Sequence, residues 1–384
     1  MTSPILTPEA TRDFLKRGFS RRHFGRLATM LTAGAAMPFY NEPALAQLSK
    51  VNHPIPPDAV LINANENPLG PCAEAAEAIR NIVQKGGRYM YALTDELATT
   101  LANVEGVKQE YVRPFAGSSA PLHQAVLAFC SPEKSYVVGD PGYEAGGRAA
   151  QFIGAKAINV PLTKDYAHDV KAMAAADSNA GLIYLCNPNN PTGTLTSRED
   201  MEWLLANKPA GSILMVDEAY IHLAEGASTM VDMAAKDKDI IILRTFSKLY
   251  GMAGLRAGAA IARPDLLEKI SRFSAGAMPV TAMVGAATSL RVKTLVAERR
   301  KYVKEVREDT LAFLDKHHFH YVPSVSNKFM VDVKRPGREV IEAMAKENVY
   351  IGRVWPSWPT YVRVSVGTHE DMEKFKAAFL KVMA

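Results

Sequence analysis

The sequence predicts an α/β fold: a mostly parallel central sheet flanked by helices, with a smaller α+β lobe at the C-terminal end. Three observations carry this expectation. Four apolar runs of strand length recur at residues 136–138, 182–185, 213–216 and 240–243. Each run is continuous rather than alternating, as befits strands buried on both faces, and helical patterns lie between them. From residue 290 the pattern changes to a long charged helix over 290–314, then strand, helix and strand at 329–333, 340–346 and 361–366.

The chain has 384 residues, 48% of them hydrophobic and 22% charged. That is too long for one compact core and too apolar for a disordered chain, so a two-lobed body of enzyme size is expected. A net charge of +5, from 45 Lys and Arg against 40 Asp and Glu, does not suggest nucleic acid as a partner, which usually needs a concentrated basic face. Cys72, Cys130 and Cys186 are far apart and form no Cys-x-x-Cys pair, which disfavours a disulfide framework or a structural zinc site. His317, His318 and His320 lack accompanying cysteines or paired carboxylates, so no metal is expected.

Taken in order along the chain, residues 1–46 read as an address rather than as part of the fold. Ser20-Arg21-Arg22-His23-Phe24 has the form of a twin-arginine signal, a mildly apolar run follows over 27–37, and Ala44-Leu45-Ala46 supplies a small-x-small cleavage site. The apolar run is too short to anchor in a bilayer. The expectation is export by the twin-arginine machinery to the periplasm with cleavage after Ala46; if the leader reading fails, the location is cytoplasmic. Residues 47–75 form an N-terminal segment containing the turn-rich Asn63-Ala64-Asn65-Glu66-Asn67-Pro68-Leu69-Gly70-Pro71. Residues 76–285 are expected to form the larger domain and 286–384 the smaller. A helix is predicted over 73–83, and Thr196 with Glu199 has the spacing of a capping box opening the helix through Trp203 and Leu205.

The chemistry-bearing residues follow the strands. In open α/β sheets ligands sit beyond the carboxyl ends of the strands. There the sequence places Asn187-Pro188-Asn189-Asn190-Pro191-Thr192-Gly193, then Asp217-Glu218-Ala219-Tyr220, then Thr245-Phe246-Ser247-Lys248 with Arg256 eight residues on. In this order and spacing the three segments resemble fold-type I pyridoxal-phosphate aminotransferases. The opening Asn-Glu-Asn-Pro-Leu-Gly-Pro and Arg88-Tyr89 resemble the histidinol-phosphate branch of class I/II. The resemblance runs from about Asn63 to the C-terminus.

The resemblance implies a set of roles. Lys248 would hold the aldehyde of pyridoxal 5'-phosphate and later move a proton; a desolvated lysine near other cations has the lowered pKa that both tasks need. Asp217 would pair with the ring nitrogen, and Tyr220 and Asn190 would bond the ring hydroxyl. Ser118 and Ser119 at a helix N-terminus, with Thr245, Ser247 and Arg256, would hold the phosphate. Tyr143 would stack on the ring. Tyr89 would reach the phosphate of a neighbouring subunit, which implies a homodimer with shared sites. Arg363, in Tyr361-Val362-Arg363-Val364-Ser365-Val366-Gly367, would grip the substrate's acidic group, with Arg353 a second candidate. Trp355 and Trp358, between the two arginines, are expected to be packing residues rather than substrate contacts.

The implied activity is a transaminase that moves an amino group from an amino acid or related amine to a 2-oxo acid. Histidinol phosphate itself as donor, or decarboxylation or racemisation on the same fold, are the alternatives. Two features depart from the family pattern. Ser118-Ser119-Ala120-Pro121 stands where acidic residues are common after the glycine of the phosphate cup. An export leader also sits badly with a cytoplasmic pathway such as histidine synthesis, which points to a different amino donor.

Overall fold

The computed structural model describes residues 8–20, 42, 45, 55–274 and 276–384. The twin-arginine pair Arg21-Arg22 and both alanines of the expected cleavage site lie outside the described residues.

The large sheet has seven strands: β2 (Val112–Phe115), β3 (Ser135–Asp140), β4 (Ala157–Pro161), β5 (Ala180–Cys186), β6 (Ile213–Asp217), β7 (Ile240–Thr245) and β8 (Gly258–Ile261). They follow β1 (Val60–Ile62) in the chain. Their spatial order is β2-β8-β7-β6-β5-β3-β4. Strands β4, β3, β5, β6 and β7 are mutually parallel, and β8 runs antiparallel to both β7 and β2. Six strands therefore share one direction, and the four apolar runs are β3, β5, β6 and β7.

Alternation along these strands makes two cores. Tyr136, Leu182, Tyr184, Met215 and Leu243 belong to one apolar cluster, and Val137, Ile183, Leu214, Val216 and Ile242 to the other. Helices Ser119–Phe129, Ala145–Phe152, Pro264–Ser271 and Val280–Arg291 contribute to the first. Helices Val170–Ala175, Arg198–Asn207 and Val231–Ala235 contribute to the second. Each fully buried Leu or Ile side chain contributes roughly 1.5–3 kcal/mol, which is why continuous apolar runs select this two-sided cover.

The smaller lobe has β9 (His320–Val322), β10 (Lys328–Asp332) and β12 (Tyr361–Ser365) in an antiparallel sheet of order β12-β10-β9. Strand β11 (Val349–Ile351) pairs in parallel with β1, so the N-terminal segment is tied to the C-terminal lobe. Helix His369–Met383 closes the chain with a capping box from Thr368 and Asp371.

Local details differ from the sequence expectations in two places. The cap of helix Arg198–Asn207 is Ser197, whose Oγ accepts from the Asp200 amide at 3.0 Å; Thr196 instead accepts from the His168 amide. Ser197 has the extended backbone (ψ 156°) that lays a hydroxyl over the first turn, and Thr196 is held back by the bond from its own amide to Asn187 Oδ1. The long charged helix begins at Leu295 and reaches Lys316, while residue 290 belongs to the preceding helix Val280–Arg291, across a 90° bend. That preceding helix packs on helices Ala73–Val83 and Ala92–Glu105. No single helix among the described residues is long and apolar enough to cross a membrane.

Candidate active site

Five segments following same-direction strands converge on one cavity. After β2 come Ser118 and Ser119, after β3 Tyr143, after β5 Asn190, at the end of β6 Asp217 with Tyr220, and after β7 Ser247 and Lys248. The cavity holds about 600 Å³ of empty space, its open mouth included, and its lining also takes in Glu42, Glu66, Tyr184, Thr245 and Arg256. This is the position beyond the strand carboxyl ends that the topology favours for a ligand.

Asp217 is 4% exposed, and its neighbours on the sheet are apolar. Oδ2 accepts from the Tyr184 hydroxyl at 2.8 Å and Oδ1 from the Ala219 amide at 3.1 Å. Burial raises its pKa from 3.8 to about 6, against the lowering effect of those two bonds. Among the described residues no cation lies in hydrogen-bond reach of this carboxylate, and a protonated ring nitrogen would supply one.

Lys248 is 7% exposed and donates from Nζ to the Asn65 carbonyl at 3.0 Å. Burial lowers its pKa to about 8; Arg363 and Arg256 push the same way and Glu42 opposes them. Asn65 is the hub of this corner. Its amide nitrogen Nδ2 donates to the Tyr220 hydroxyl at 3.1 Å and to Asn190 Oδ1 at 3.4 Å, and its backbone N–H donates to Ser365 Oγ at 2.8 Å. It does so with a φ of 51°, a left-handed conformation that Asn tolerates better than most residues.

At the other end, Ser118 and Ser119 open helix Ser119–Phe129, whose first-turn amides face an anion favourably. Arg256 Nη1 donates to Ser247 Oγ at 3.4 Å, and Thr245 Oγ1 donates to Ser247 Oγ at 3.0 Å. Gly117 has φ +86°, and a Cβ there would stand 2.1 Å from Arg256 Nη2. The backbone and the guanidinium thus close on one small space that a side chain would fill. The absence of acidic residues at 118–121 leaves this end cationic.

Arg353 and Arg363 are both buried. Arg353 Nη1 bonds both Glu144 carboxylate oxygens at 2.9 Å. Arg363 Nη1 donates to Asn190 Oδ1 at 3.0 Å and Nη2 to the Asn63 carbonyl at 2.8 Å. Trp355 lies under both, 4.6 Å and 5.5 Å from the two guanidinium carbons, and its indole donates to the Gly142 carbonyl. Trp358 packs on Tyr166 and Tyr361 instead.

Of the residues singled out in the sequence, Tyr89 stands apart. It is 70% exposed and stacks on Tyr91, away from this chain's own cavity. Four contributors were missed. Tyr184 sits inside an apolar run and shows itself only once β5 and β6 are paired. Asn65 lay in a motif quoted whole. Glu42 accepts from Arg363 Nη2 at 2.7 Å although it falls in the stretch read as leader. Lys328, fully buried, has Nζ 3.1 Å from the Tyr220 ring centroid and donates to Ser326 Oγ at 2.8 Å.

A buried acid short of a cation, a depressed lysine, and an anion cup made of amides, hydroxyls and a guanidinium fit pyridoxal phosphate. Comparison with known proteins agrees. The chain is 32% identical over 338 residues to a histidinol-phosphate aminotransferase of Moorella thermoacetica, covering 85% of this chain and 86% of that one. It is 33% identical over 329 residues to an aromatic amino acid aminotransferase of Nocardia farcinica, covering 83% and 90%. The fold matches that of the histidinol-phosphate aminotransferase from Sinorhizobium meliloti, solved in complex with pyridoxal-5'-phosphate, with a TM-score of 0.80 at 24% identity over 90% of this chain and 95% of that one. The model of the aminotransferase class I and II family matches residues 57–379. The chain belongs to that family and is a pyridoxal-phosphate-dependent aminotransferase.

Proposed function

We propose that this aminotransferase takes an amine bearing an acidic group, with Arg363 as the anion anchor and Lys248 as the proton carrier. The observation that carries the proposal is Arg363 itself. It is fully buried, bonded to Asn190, and its Nε has no hydrogen-bond partner among the described residues. A guanidinium so placed suits a carboxylate or phosphate bidentately. Arg353, already paired with Glu144, keeps Nη2 free of hydrogen bonds among the described residues and adds positive field for a second acidic group.

Bound pyridoxal phosphate supplies an electron sink for bonds at the amine-bearing carbon. The chain's residues do the rest. Asp217 would hold the proton at the ring nitrogen, and Tyr184 fixes that carboxylate's direction. Tyr220 and Asn190 would bond the ring hydroxyl oxygen, and Tyr143 would stack on the ring. Ser118, Ser119, Thr245, Ser247 and Arg256 would bind the phosphate. Lys248 Nζ, whose pKa of about 8 leaves a reactive neutral fraction at physiological pH, takes the proton from the substrate's amine-bearing carbon as general base.

The donor in this proposal is not histidinol phosphate. Relatives of nearly equal identity carry different substrate names, and the twin-arginine motif favours an exported protein working in the periplasm. A homodimer is part of the same reading, supported by the exposed Tyr89 and Tyr91, with Tyr89 reaching the partner's phosphate site. The deciding experiment is a half-reaction screen of the pyridoxal form against amino acids, amino alcohol phosphates and peptide-like amines. A donor with an acidic group should convert the absorbance to the pyridoxamine form; conversion only by uncharged amines would sink the proposal. Separately, Arg21→Lys with Arg22→Lys should trap the protein in the cytoplasm, and unchanged fractionation would count against export.

A further inference from the structure

Arg363 takes its carboxylate from outside the catalytic body. Two other buried arginines are neutralised by acids of the body: Arg244 by Glu105 and Glu218, Arg353 by Glu144. Among the described residues, the carboxylate within ion-pair distance of Arg363 is that of Glu42, 321 residues away in sequence. Glu42 Oε1 lies 2.7 Å from Arg363 Nη2 and 3.8 Å from Arg353 Nη2, and Oε2 accepts from Asn190 Nδ2 at 3.4 Å. The carboxylate thus spans the same three groups that would receive a substrate's acid. Glu42 also lines the cavity that holds Lys248 and Asp217.

A second described residue points the same way as Glu42. Leu45, three residues on, is fully buried and belongs to the main apolar cluster. Both described residues of this stretch are therefore inserted, one into the anion seat and one into the core. Burial would raise the Glu42 pKa, but Arg363 and Arg353 overcome it and hold the group down to about 2, so it is ionised at any working pH.

We infer that the segment upstream of the body is a built-in competitor, with Glu42 standing in for the substrate's carboxylate on Arg363 and Asn190, so that the full-length chain fills its own substrate seat. This rests on the reading of Arg363 as the substrate anchor. An acidic ligand must displace the tethered side chain, and its apparent affinity falls by the fraction of molecules in which the seat is free. Glu42 precedes Ala44-Leu45-Ala46, so cleavage after Ala46 carries the competitor away and opens the site.

The test uses the full-length, cofactor-loaded chain and succinate, a dicarboxylate with no amine to transfer. By titration calorimetry, Glu42→Gln should bind succinate at least about tenfold more tightly than the unaltered chain, as expected for a seat filled nine-tenths of the time. Equal affinities overturn the proposal. A second measurement needs no substitution. Saturating succinate should raise proteolytic cleavage within residues 38–54, mapped by mass spectrometry, as the segment leaves; an unchanged map also overturns it. The combined variant Glu42→Gln, Arg363→Gln separates the two readings. Loss of succinate binding there keeps Arg363 as the anchor, so that a failure in the first two measurements falls on Glu42 alone. Persistence of binding removes the anchor and the competitor together.

Discussion

The hydroxyl of Tyr184 donates to Asp217 Oδ2 at 2.8 Å from the neighbouring strand. In the parallel pairing of β5 with β6, Cys186 is opposite Asp217 and Tyr184 opposite Met215. Tyr184 therefore lies one pleat back on the same face, within reach of the acid at the strand end. The bond orients a carboxylate that burial would otherwise neutralise, and it leaves that carboxylate aimed into the cavity.

The first prediction concerns this acid without cofactor. Its folded pKa of about 6 lies above the ordinary 3.8, so the folded chain holds the proton more tightly than the unfolded chain does. Its favourable contribution is present below pH 3.8 and is lost as pH rises through about 6. Above that, the buried charge costs the cofactor-free chain roughly 3 kcal/mol. Asp217→Asn should raise the melting temperature of the cofactor-free chain at pH 8 and flatten its decline between pH 4 and 6, while removing most of the stabilisation that the cofactor confers. Tyr184→Phe should do the opposite to the titration, moving it above 6, and weaken cofactor binding about tenfold. Scanning calorimetry and absorbance titration read both.

The second concerns Lys248. A lysine with pKa about 8 is a competent nucleophile only in its neutral form. Capture of pyridoxal phosphate by the cofactor-free chain should accelerate about tenfold per pH unit below 8 and level off above it; an ordinary lysine would still be accelerating near pH 10. Glu42→Gln removes a charge that raises this pKa, so the break should move to lower pH. Stopped-flow absorbance at the wavelength of the captured aldehyde gives the profile.

The third concerns the phosphate end. Gly117→Ala places a methyl group 2.1 Å from Arg256 Nη2 on a backbone with φ +86°. The left-handed conformation alone costs about 1 kcal/mol, and Arg256 must move. Affinity for pyridoxal phosphate should fall at least about tenfold, and affinity for pyridoxal, which has no phosphate, should fall much less. Equilibrium dialysis of the two ligands compares them directly.

Much of this architecture was legible in the chain. Continuous runs such as Ile240-Ile241-Ile242-Leu243 announce a strand covered on both sides, because no surface position tolerates four such residues in succession. The segments at the strand ends were readable for a complementary reason: Asn190, Asp217, Tyr220, Ser247 and Lys248 are polar residues close behind apolar runs, where a sheet edge delivers them together. Ser197 as the helix cap was missed because Thr196 has the same chemistry one residue earlier. Only the bond that the Thr196 hydroxyl accepts from the His168 amide settles which hydroxyl is free to cap.

By itself, then, the sequence determined the strand and helix pattern, the order of the chemical groups and the family, since these follow from local periodicity and motif spacing. Tertiary structure alone decided how distant residues meet. It put Tyr184 behind Asp217, made Asn65 the joint between Lys248, Tyr220 and Ser365, buried Arg353 against Glu144, and brought Glu42 onto Arg363. These pairings join residues 33 to 321 positions apart, and no periodicity encodes them. They arise because packing the smaller lobe and the N-terminal segment over the sheet edge leaves each buried charge to find the partner that three-dimensional proximity supplies.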